Sequence, residues 1–342
     1  MQPVVRPLAQ ADVAEWDRFV YGAPDATFFH RSGWKRVLER AFGHRCHYLL
    51  AEEDGQITGV LPLAEIRSRI FGHRLVSTPF CVYGGVVANG EQATLALIEA
   101  ACDLANSLGV LDLEVRNVRP FSLAWPEKDL YARFRKRLAP DHDENLKAIP
   151  RKQRAMVRKG AQAGLLVDVV DDVSRLYRTY AESVRNLGTP VFSRRYLEIL
   201  REVFGRDVEI LLIHRDGEDL AGVMSFYFRD EVLPYYGGSR GEARNLKAND
   251  FMYWTLMRHA VDRGARTFDF GRSKVGTGPY DFKKNWGFEA ESLHYAYHLV
   301  KATEVPRLDP TNPRYRRTIE LWKRLPLPIA NSIGPILARH LG

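Results

Sequence analysis

Three lysines and two carboxylates lie close together in one segment, FDFGRSKVGTGPYDFKKNWGF (268–288). Alternation of apolar and polar residues predicts a strand over Arg266–Phe270, with Asp269 on the face opposite its phenylalanine neighbours. A glycine-rich loop and a short helix follow. A fixed ammonium group stabilises negative charge on oxygen, and a carboxylate can accept a proton. The segment can therefore supply a lysine that stabilises an oxyanion and a carboxylate base, for which Asp269 and Asp281 are the candidates. The alternatives are a surface lysine on an amphipathic turn and a strand carboxylate that pairs locally.

The run KAIPRKQRAMVRK (147–159) could bind an anion, because it contains six positive residues and no negative one. A helix is predicted here, and on it Arg151, Arg154 and Arg158 fall at i, i+3 and i+7 in one stripe. Arginine binds phosphate oxygens through two parallel hydrogen bonds. The stripe therefore indicates an anionic, phosphate-bearing substrate or an RNA backbone, and a solvated basic face is the alternative.

A second candidate anion site is the start of a long helix predicted over Asp250–Arg263. Asn249 and Asp250 are typical N-cap residues, and Arg244 and Lys247 precede them. The helix dipole and the two cations could hold a phosphate or a carboxylate. A capped helix behind solvated cations would give the same pattern.

The predicted substrate-binding residues are Arg154, Arg158, Tyr236, Lys247, Asn249, Arg272, Tyr280 and Phe282.

Metal and redox chemistry are not predicted. His30, His44 and His47 have no carboxylate or cysteine at ligand spacing, so structural or surface roles are expected for them. The three cysteines form no CxxC pair, which favours a reducing compartment. No GxSxG, HExxH or Walker-type motif occurs in the sequence.

Length and charge narrow the class of protein further. The 342 residues suggest two domains, and 45% hydrophobic with 27% charged residues excludes disordered, collagen-like and disulfide-scaffold classes. The net charge of +8 concentrates in the run 147–159 and in the last 42 residues, which hold eight positive and three negative residues. We therefore expect a local polyanion as partner: phosphate groups, an RNA end or a lipid surface. Without a signal-peptide pattern or a spanning stretch, a cytoplasmic protein is expected.

An internal duplication organises the chain. Residues 34–66 align with residues 196–228, and five anchors recur in the same order. The matched anchors are Phe42-Gly43 with Phe204-Gly205, Asp54-Gly55 with Asp216-Gly217, Gly59-Val60 with Gly222-Val223, Tyr83-Gly84-Gly85 with Tyr236-Gly237-Gly238, and the strands after Gly109 and Gly264.

Each copy predicts a strand, two helices, three antiparallel strands, a long helix and a last strand that pairs back into the sheet. The Asp-Gly pairs predict hairpin turns, and Gly109 and Gly264 are expected to end the long helices. The predicted domains are 1–140, then 141–300 including the basic bridging helix, and a basic, apolar C-terminal tail over 301–342.

This order of elements resembles the acetyltransferases of the GNAT superfamily, and the tandem arrangement resembles its FemAB-like family, which contains the Fem peptidyltransferases that use aminoacyl-tRNA. The resemblance covers about residues 4 to 298. The segments that match the family are FFHRSGWKRVL (28–38), SRIFGHRLVSTPFCVYGG (68–85), IPRKQRAMVRKG (149–160), LGTPVF (187–192) and FDFGRSKVGTGPYDFKKNWGFE (268–289). The first three resemble the subgroup associated with PEP-CTERM/exosortase exopolysaccharide systems.

The resemblance implies an α/β (α+β) fold of two tandem GNAT-like domains and an acyltransferase that forms an amide on an amino-bearing acceptor, in cell-envelope or exopolysaccharide assembly. In Fem-like proteins a Phe-Lys pair places the lysine beside the transferred acyl carbonyl, and Phe282-Lys283 matches that pair. The resemblance thus implies Lys283 as a catalytic residue, and Asp269 is predicted to act with it. The donor stays open among aminoacyl-tRNA, whose acceptor end would be the partner, acyl-CoA and an acyl carrier protein. No tightly bound cofactor is expected.

A standard acetyl-CoA clamp is not predicted. In the loop GGSRGEARNLKAND (237–250) the glycine spacing is present, but Gly238 stands where the motif has a cationic or amide residue. The alternative to an enzyme is a non-catalytic phosphate- or polymer-binding scaffold of an envelope-assembly system. A lysine buried in a lattice of ion pairs would favour that alternative.

The C-terminal tail lies beyond the duplication. TIELWKRLPLPIANSIGPILARHLG (318–342) places Trp322 beside two cations and then continues with apolar residues interrupted by prolines. Such a segment either packs back onto the protein or makes a peripheral contact with an anionic membrane. The sequence gives no oligomeric state.

Overall fold

The computed structural model describes residues 3–69, 71–120, 123–306 and 316–342. The chain divides into two compact units. The first comprises Met1–Leu130, Ser292–Leu308 and Arg339–Gly342, and the second comprises Tyr131–Glu291 and Asp309–Ala338.

The first unit is built on one sheet in the order β1-β2-β3-β4-β6-β15-β7, with the short β5 beside β3. Its strands are β1 (Val4–Pro7), β2 (Cys46–Glu53), β3 (Gln56–Ser68), β4 (Gly72–Ser77), β5 (Val87–Ala88), β6 (Asp112–Asn117), β7 (Glu127–Lys128) and β15 (His294–Leu299). Its helices are α1 (Val13–Gly22), α2 (Gly33–Phe42) and α3 (Glu91–Leu108). Helix α3 packs on the sheet through Leu97, Ile98 and Ala101, which are buried with Leu61 and Leu113 in one apolar core.

The second unit repeats the arrangement, with strand order β14-β8-β13-β12-β11-β10-β9. Its strands are β8 (Tyr131–Arg137), β9 (Leu166–Val170), β10 (Val208–Arg215), β11 (Glu218–Phe228), β12 (Glu231–Ser239), β13 (Thr267–Lys274) and β14 (Ala290–Ser292). Its helices are α4 (His142–Ala148), α5 (Arg151–Ala161), α6 (Val173–Asn186), α7 (Arg194–Phe204), α8 (Ala248–Asp262), α9 (Gly278–Asn285), α10 (Arg316–Lys323) and α11 (Leu327–Ala338).

The matching strand orders confirm the duplication and the tandem α/β fold. In both hairpin turns, Asp54-Gly55 and Asp216-Gly217, each residue has a positive φ, as a tight two-residue turn requires. Gly109 ends α3 in the left-handed conformation, as predicted. In each unit a parallel pair stands beside antiparallel ones: β4 with β6, and β12 with β13.

The two sheets exchange a strand. Strand β8 follows the first repeat along the chain but pairs with β13, whereas β15 follows the second repeat and pairs with β6. Strands β8 and β15 each pair antiparallel with the equivalent strand of a sheet, β13 or β6, and so provide hydrogen-bond partners for its backbone groups. The predicted boundaries at 140 and 300 differ from the observed units because sequence similarity between repeats does not show which sheet an edge strand joins. The tail also differs, since α10 and α11 group with the second unit.

Candidate active site

The centre of the second sheet contains a break in strand pairing. Strands β12 and β13 pair in parallel only at Glu231 with Thr267 and at Val232 with Phe268. Further along β13, a bulge interrupts its pairing with β8 between Asp269 and Arg272, and Gly271 has a φ of 65°. Because a bulge re-aims the backbone, carbonyl groups of β13 become available to a partner outside the sheet.

Lys283 of α9 is that partner. Its ammonium Nζ donates to the carbonyl oxygens of Phe270 at 2.7 Å, Arg272 at 2.9 Å and Gly271 at 3.3 Å. Burial lowers the pKa of Lys283 to about 7, the charge of Asp269 opposes that shift, and Arg272 adds to it. The side chain is thus a positionally fixed cation that can lose its proton near neutral pH.

Asp269 supports this arrangement from within the sheet. Its side chain is fully buried, and Oδ1 accepts the backbone N–H of Gly271 at 2.6 Å. That hydrogen bond holds the bulge whose carbonyl groups bind Lys283. The geometry gives Asp269 a positioning role, whereas Asp281, on the same helix as Lys283, is exposed.

Two residues that the sequence did not single out complete the cluster. Arg135 of β8 donates from Nη2 to Glu231 Oε2 at 2.6 Å, and its Nε lies 3.6 Å from Asp269 Oδ2. Burial, followed by the charge of Asp269, raises the pKa of Glu231 well above its ordinary value, although Arg135 opposes the shift. The two carboxyl groups therefore compete for one arginine. Glu231 follows Asp230 at a turn, and that sequence pattern suggests an exposed residue.

Aromatic side chains surround α9 and β13. Phe282 lies 5.7 Å from Tyr253 and 6.1 Å from Trp286, measured between ring centroids. Tyr280 packs edge-to-face on Phe134 at 5.2 Å. The lysine is therefore held by packing on one side and by carbonyl groups on the other. Arg272 belongs to the same region, where its guanidinium lies 4.6 Å from the ring centroid of Tyr131.

The start of α8 differs from the prediction. Helix α8 begins at Ala248, its N-cap is Lys247 in the left-handed conformation, and Asn249 lies in the first turn. Asp250 does not cap the helix either: its buried carboxylate accepts a hydrogen bond from Gln153 of α5. The predicted Asn249-Asp250 cap is thus wrong, because the packing of α5 on α8 uses the aspartate instead.

The arginine stripe lies on α5, as predicted. Arg151 and Arg158 are exposed and Arg154 is half-buried, and none of the three has an acidic side chain within ion-pair distance among the described residues. Helix α7 shows the opposite pattern, since Arg194 pairs with Glu198 at 3.0 Å and Arg195 with Glu202 at 2.5 Å. The α5 cations therefore remain available to an external anion.

Tyr236 lies in a different part of the second unit from the groups that contact Lys283. It is buried, its hydroxyl group lies 2.6 Å from that of Tyr196, and its ring contacts Tyr180 and Phe192 edge-to-face. These contacts give Tyr236 a packing role in the aromatic cluster between β12, α6 and α7.

The corresponding place in the first unit holds a closed set of ion pairs. Arg74 donates to Asp112 at 2.6 Å and to Glu114 at 2.9 Å, and Arg116 donates to Glu114 at 2.8 Å. All four side chains are buried. Burial opposes the ionisation of Glu114, but Arg116 and Arg74 together lower its pKa to about 2.

The first unit also contains a cavity of about 170 Å³ that is lined in part by His30, Gly85, Asn117 and Arg119. The His30 ring is structural, as expected from the sequence. Its Nδ1 accepts the backbone N–H of Thr27 at 3.0 Å, so Nε2 carries the proton and donates to the carbonyl of Gly85 at 3.0 Å.

Comparisons with known proteins agree with this architecture. Residues 145–284 match the family model of the acetyltransferase (GNAT) domain. A lipid II:glycine glycyltransferase of Staphylococcus aureus is 33% identical over 130 residues, which cover 35% of this chain and 31% of the relative. The chain thus matches about a third of the length of that curated relative.

Two solved structures share the tandem fold. FemX aligns with a TM-score of 0.67 at 16% identity, covering 92% of this chain and all of the FemX chain. A tandem GNAT protein from the clavulanic acid biosynthesis pathway aligns with a TM-score of 0.56 at 14% identity, covering 88% of this chain and all of its own. The fold and the local sequence similarity together show a GNAT-type domain over residues 145–284 within a tandem fold that is similar to that of FemX.

Proposed function

We propose that this protein is an N-acyltransferase that forms an amide on an amino-bearing acceptor and that its second unit is the catalytic domain. The observation that carries the proposal is the position of the Lys283 ammonium on three backbone carbonyl groups beside the break between β12 and β13. The GNAT match over residues 145–284 and the glycyltransferase relative support it.

The reaction follows from acyl-transfer chemistry. The acceptor amine attacks the donor carbonyl carbon, a C–N bond forms, and the carbonyl electrons move onto oxygen. Collapse of this tetrahedral intermediate breaks the bond to the leaving group, which departs as a thiol or a ribose hydroxyl and takes up a proton. The amine loses one proton to a base. A fixed ammonium lowers the barrier because negative charge on oxygen is greatest in the transition state.

Lys283 can exchange one of its hydrogen-bond acceptors for the acyl oxygen during this reaction. An ammonium has three N–H groups, and the three carbonyl oxygens occupy them all. The contact with Gly271 is the longest at 3.3 Å, so an acyl oxygen can replace that carbonyl at small cost. Approach of the negative oxygen also favours the protonated lysine and offsets the effect of burial on its pKa.

The proton acceptor is better sought outside the buried cluster. Asp269 is fully buried and holds the bulge at Gly271, whereas Asp281 is exposed on α9, two residues before Lys283. We therefore propose Asp281 as the base and Asp269 as the residue that fixes the carbonyl groups.

The cationic side chains of α5 and α8 indicate the chemical class of the acyl donor. Arg151, Arg154 and Arg158 form a stripe with no ion-pair partner among the described residues, and Lys247 lies at the start of the neighbouring α8. These cations suit a donor with phosphate groups, a property that aminoacyl-tRNA and acyl-CoA share. A lipid-linked or nucleotide-linked precursor of the cell envelope or of an exopolysaccharide is the proposed acceptor.

The test is a transfer assay with glycyl-tRNA and acetyl-CoA offered separately, an extract of cell-envelope precursors as acceptor, and mass spectrometry of the product. We expect a new amide with one donor class. Lys283→Ala should lower turnover by about 10²–10³-fold, since loss of one such donor raises the barrier by about 2.7–4 kcal/mol. Lys284→Ala is the matched control, because Lys284 lies exposed on the same helix with its Nζ 5.7 Å from the Tyr280 ring. Equal turnover for Lys283→Ala and the parent protein would refute the proposal.

A further inference from the structure

The C-terminal helix α11 has its small residues on the buried side. Ala330, Gly334 and Ala338 recur every four residues and are buried. A Cβ atom on Gly334 would lie 3.0 Å from the backbone N and O of Val191, so this close approach requires glycine. On the neighbouring α10, Trp322 is buried and its Nε1 donates to the carbonyl of Thr189 at 3.1 Å. The tail therefore packs on the second unit, one of the two outcomes that the sequence left open.

The large apolar residues of the same segment point outward. Ile329, Ile333 and Ile336 are exposed by 45%, 41% and 63%, and Leu321 of α10 is exposed by 66%. The three isoleucines follow the i, i+4, i+7 spacing of one helix face. A helix packed on a domain ordinarily buries such residues and exposes small or polar ones. We call Leu321, Ile329, Ile333 and Ile336 the tail face.

The charge of residues 316–342 indicates the kind of partner that the tail face contacts. Residues 316–342 contain five positive side chains, and Glu320 is the one negative residue in that stretch of the sequence. Lys323 ends α10, where its Nζ lies 2.8 Å from Glu320 Oε1, and Arg324 follows it directly before the apolar run. Two copies meeting through this face would bring like charges together, whereas an anionic lipid surface matches both the charge and the apolar side chains.

We propose that the tail face is a docking surface for an anionic bilayer, with the isoleucines entering the lipid interface and the flanking cations contacting the head groups. This surface is separate from the acyl-transfer site and would hold with any donor. Within the described part of the chain, no helix is long and apolar enough to cross a membrane. Docking is therefore proposed to be peripheral and salt-sensitive.

The experiment is sedimentation of the full-length protein with vesicles of phosphatidylglycerol and phosphatidylcholine, compared with vesicles of phosphatidylcholine alone. We expect binding to the anionic vesicles, weakened by salt. The triple variant Ile329→Gln, Ile333→Gln and Ile336→Gln should lose at least tenfold in vesicle affinity, and its melting temperature should stay near that of the parent protein because the replaced side chains are exposed.

A matched control replaces three exposed apolar residues elsewhere in the second unit: Leu166→Gln, Val169→Gln and Val275→Gln. It should bind vesicles like the parent protein. Failure of the parent protein to bind anionic vesicles, or equal binding by the tail-face variant, would overturn the proposal. Lipid-independent self-association that disappears in the tail-face variant would overturn it in favour of a second copy of the chain.

Discussion

The two units carry different sets of charged side chains at the equivalent position of the same fold. Glu114 of β6 and Asp269 of β13 occupy equivalent positions, since each stands five residues after a matched glycine, Gly109 or Gly264. Each also lies opposite the exchanged strand, at Tyr297 and Arg135. Glu114 is held between two arginines in a closed set of buried ion pairs. Asp269 shares one arginine with a second carboxyl group, that of Glu231.

Under the proposed function, the duplicated fold uses this position for stability in the first unit and for reactivity in the second. In the ion-pair set of the first unit each buried charge has a close opposite charge, which fixes the sheet and leaves none of the four groups to bind a reacting group. In the second unit the lysine is held by carbonyl groups instead of by a carboxylate, so its charge is only partly compensated. Buried groups with shifted pKa values are typical of functional sites.

The largest expected effect concerns the first unit. Glu114→Ala leaves Arg74 and Arg116 buried with one fewer partner, and breaking a buried pair of this kind costs about 3–5 kcal/mol. Urea unfolding monitored by circular dichroism should show this loss, with turnover per folded molecule unchanged. A fall in turnover without a loss of stability would move the reactive centre to the first unit.

A smaller effect is expected at the α5 stripe. Replacing Arg151, Arg154 and Arg158 by Gln should weaken binding of tRNA or coenzyme A and lower its dependence on log salt, by up to about one unit of slope for each phosphate that is no longer neutralised. Affinity measured at low and high salt checks this. The control is the same change at Arg194, Arg195 and Arg201 of α7, which pair with acidic neighbours. An unchanged slope in the α5 variant would make the stripe a solvated face.

The smallest effect is expected at Glu231. Because burial and the charge of Asp269 favour its neutral form, Glu231→Gln imitates the protonated carboxyl group and keeps an oxygen for Arg135. At neutral pH, turnover should stay within about twofold of the parent value, and the free energy of unfolding should stay within about 0.5 kcal/mol. A severe loss would show that Glu231 works as an anion.

Much of the fold followed from the sequence, because glycine turns and apolar periodicity are local signals. The hairpins at Asp54-Gly55 and Asp216-Gly217 form where the Asp-Gly pairs predict them, and Gly109 ends α3 as predicted. The exchange of β8 and β15 did not follow, since edge pairing depends on distant strands.

The candidate site was predicted in the same uneven way. Lys283 lies in a segment that the family resemblance singles out, but the three carbonyl groups that bind its ammonium were not predicted. Glu231 and Arg135 reach Asp269 from other strands, and nothing in their sequence neighbourhood marks them. The Asn249-Asp250 cap failed because a tertiary contact with Gln153 took the aspartate.

We propose that the protonated form of the half-buried Lys283 promotes the reaction, and the pH dependence of kcat/KM tests this role. With a pKa of about 7 lowered by burial, the active ammonium form is lost as pH rises, so kcat/KM of the parent protein should fall above about pH 7. Asp269→Asn removes the charge that supports protonation and keeps an oxygen for the N–H of Gly271, so the same fall should move to lower pH. A profile without a fall near neutral pH, or one that Asp269→Asn leaves in place, would contradict the account.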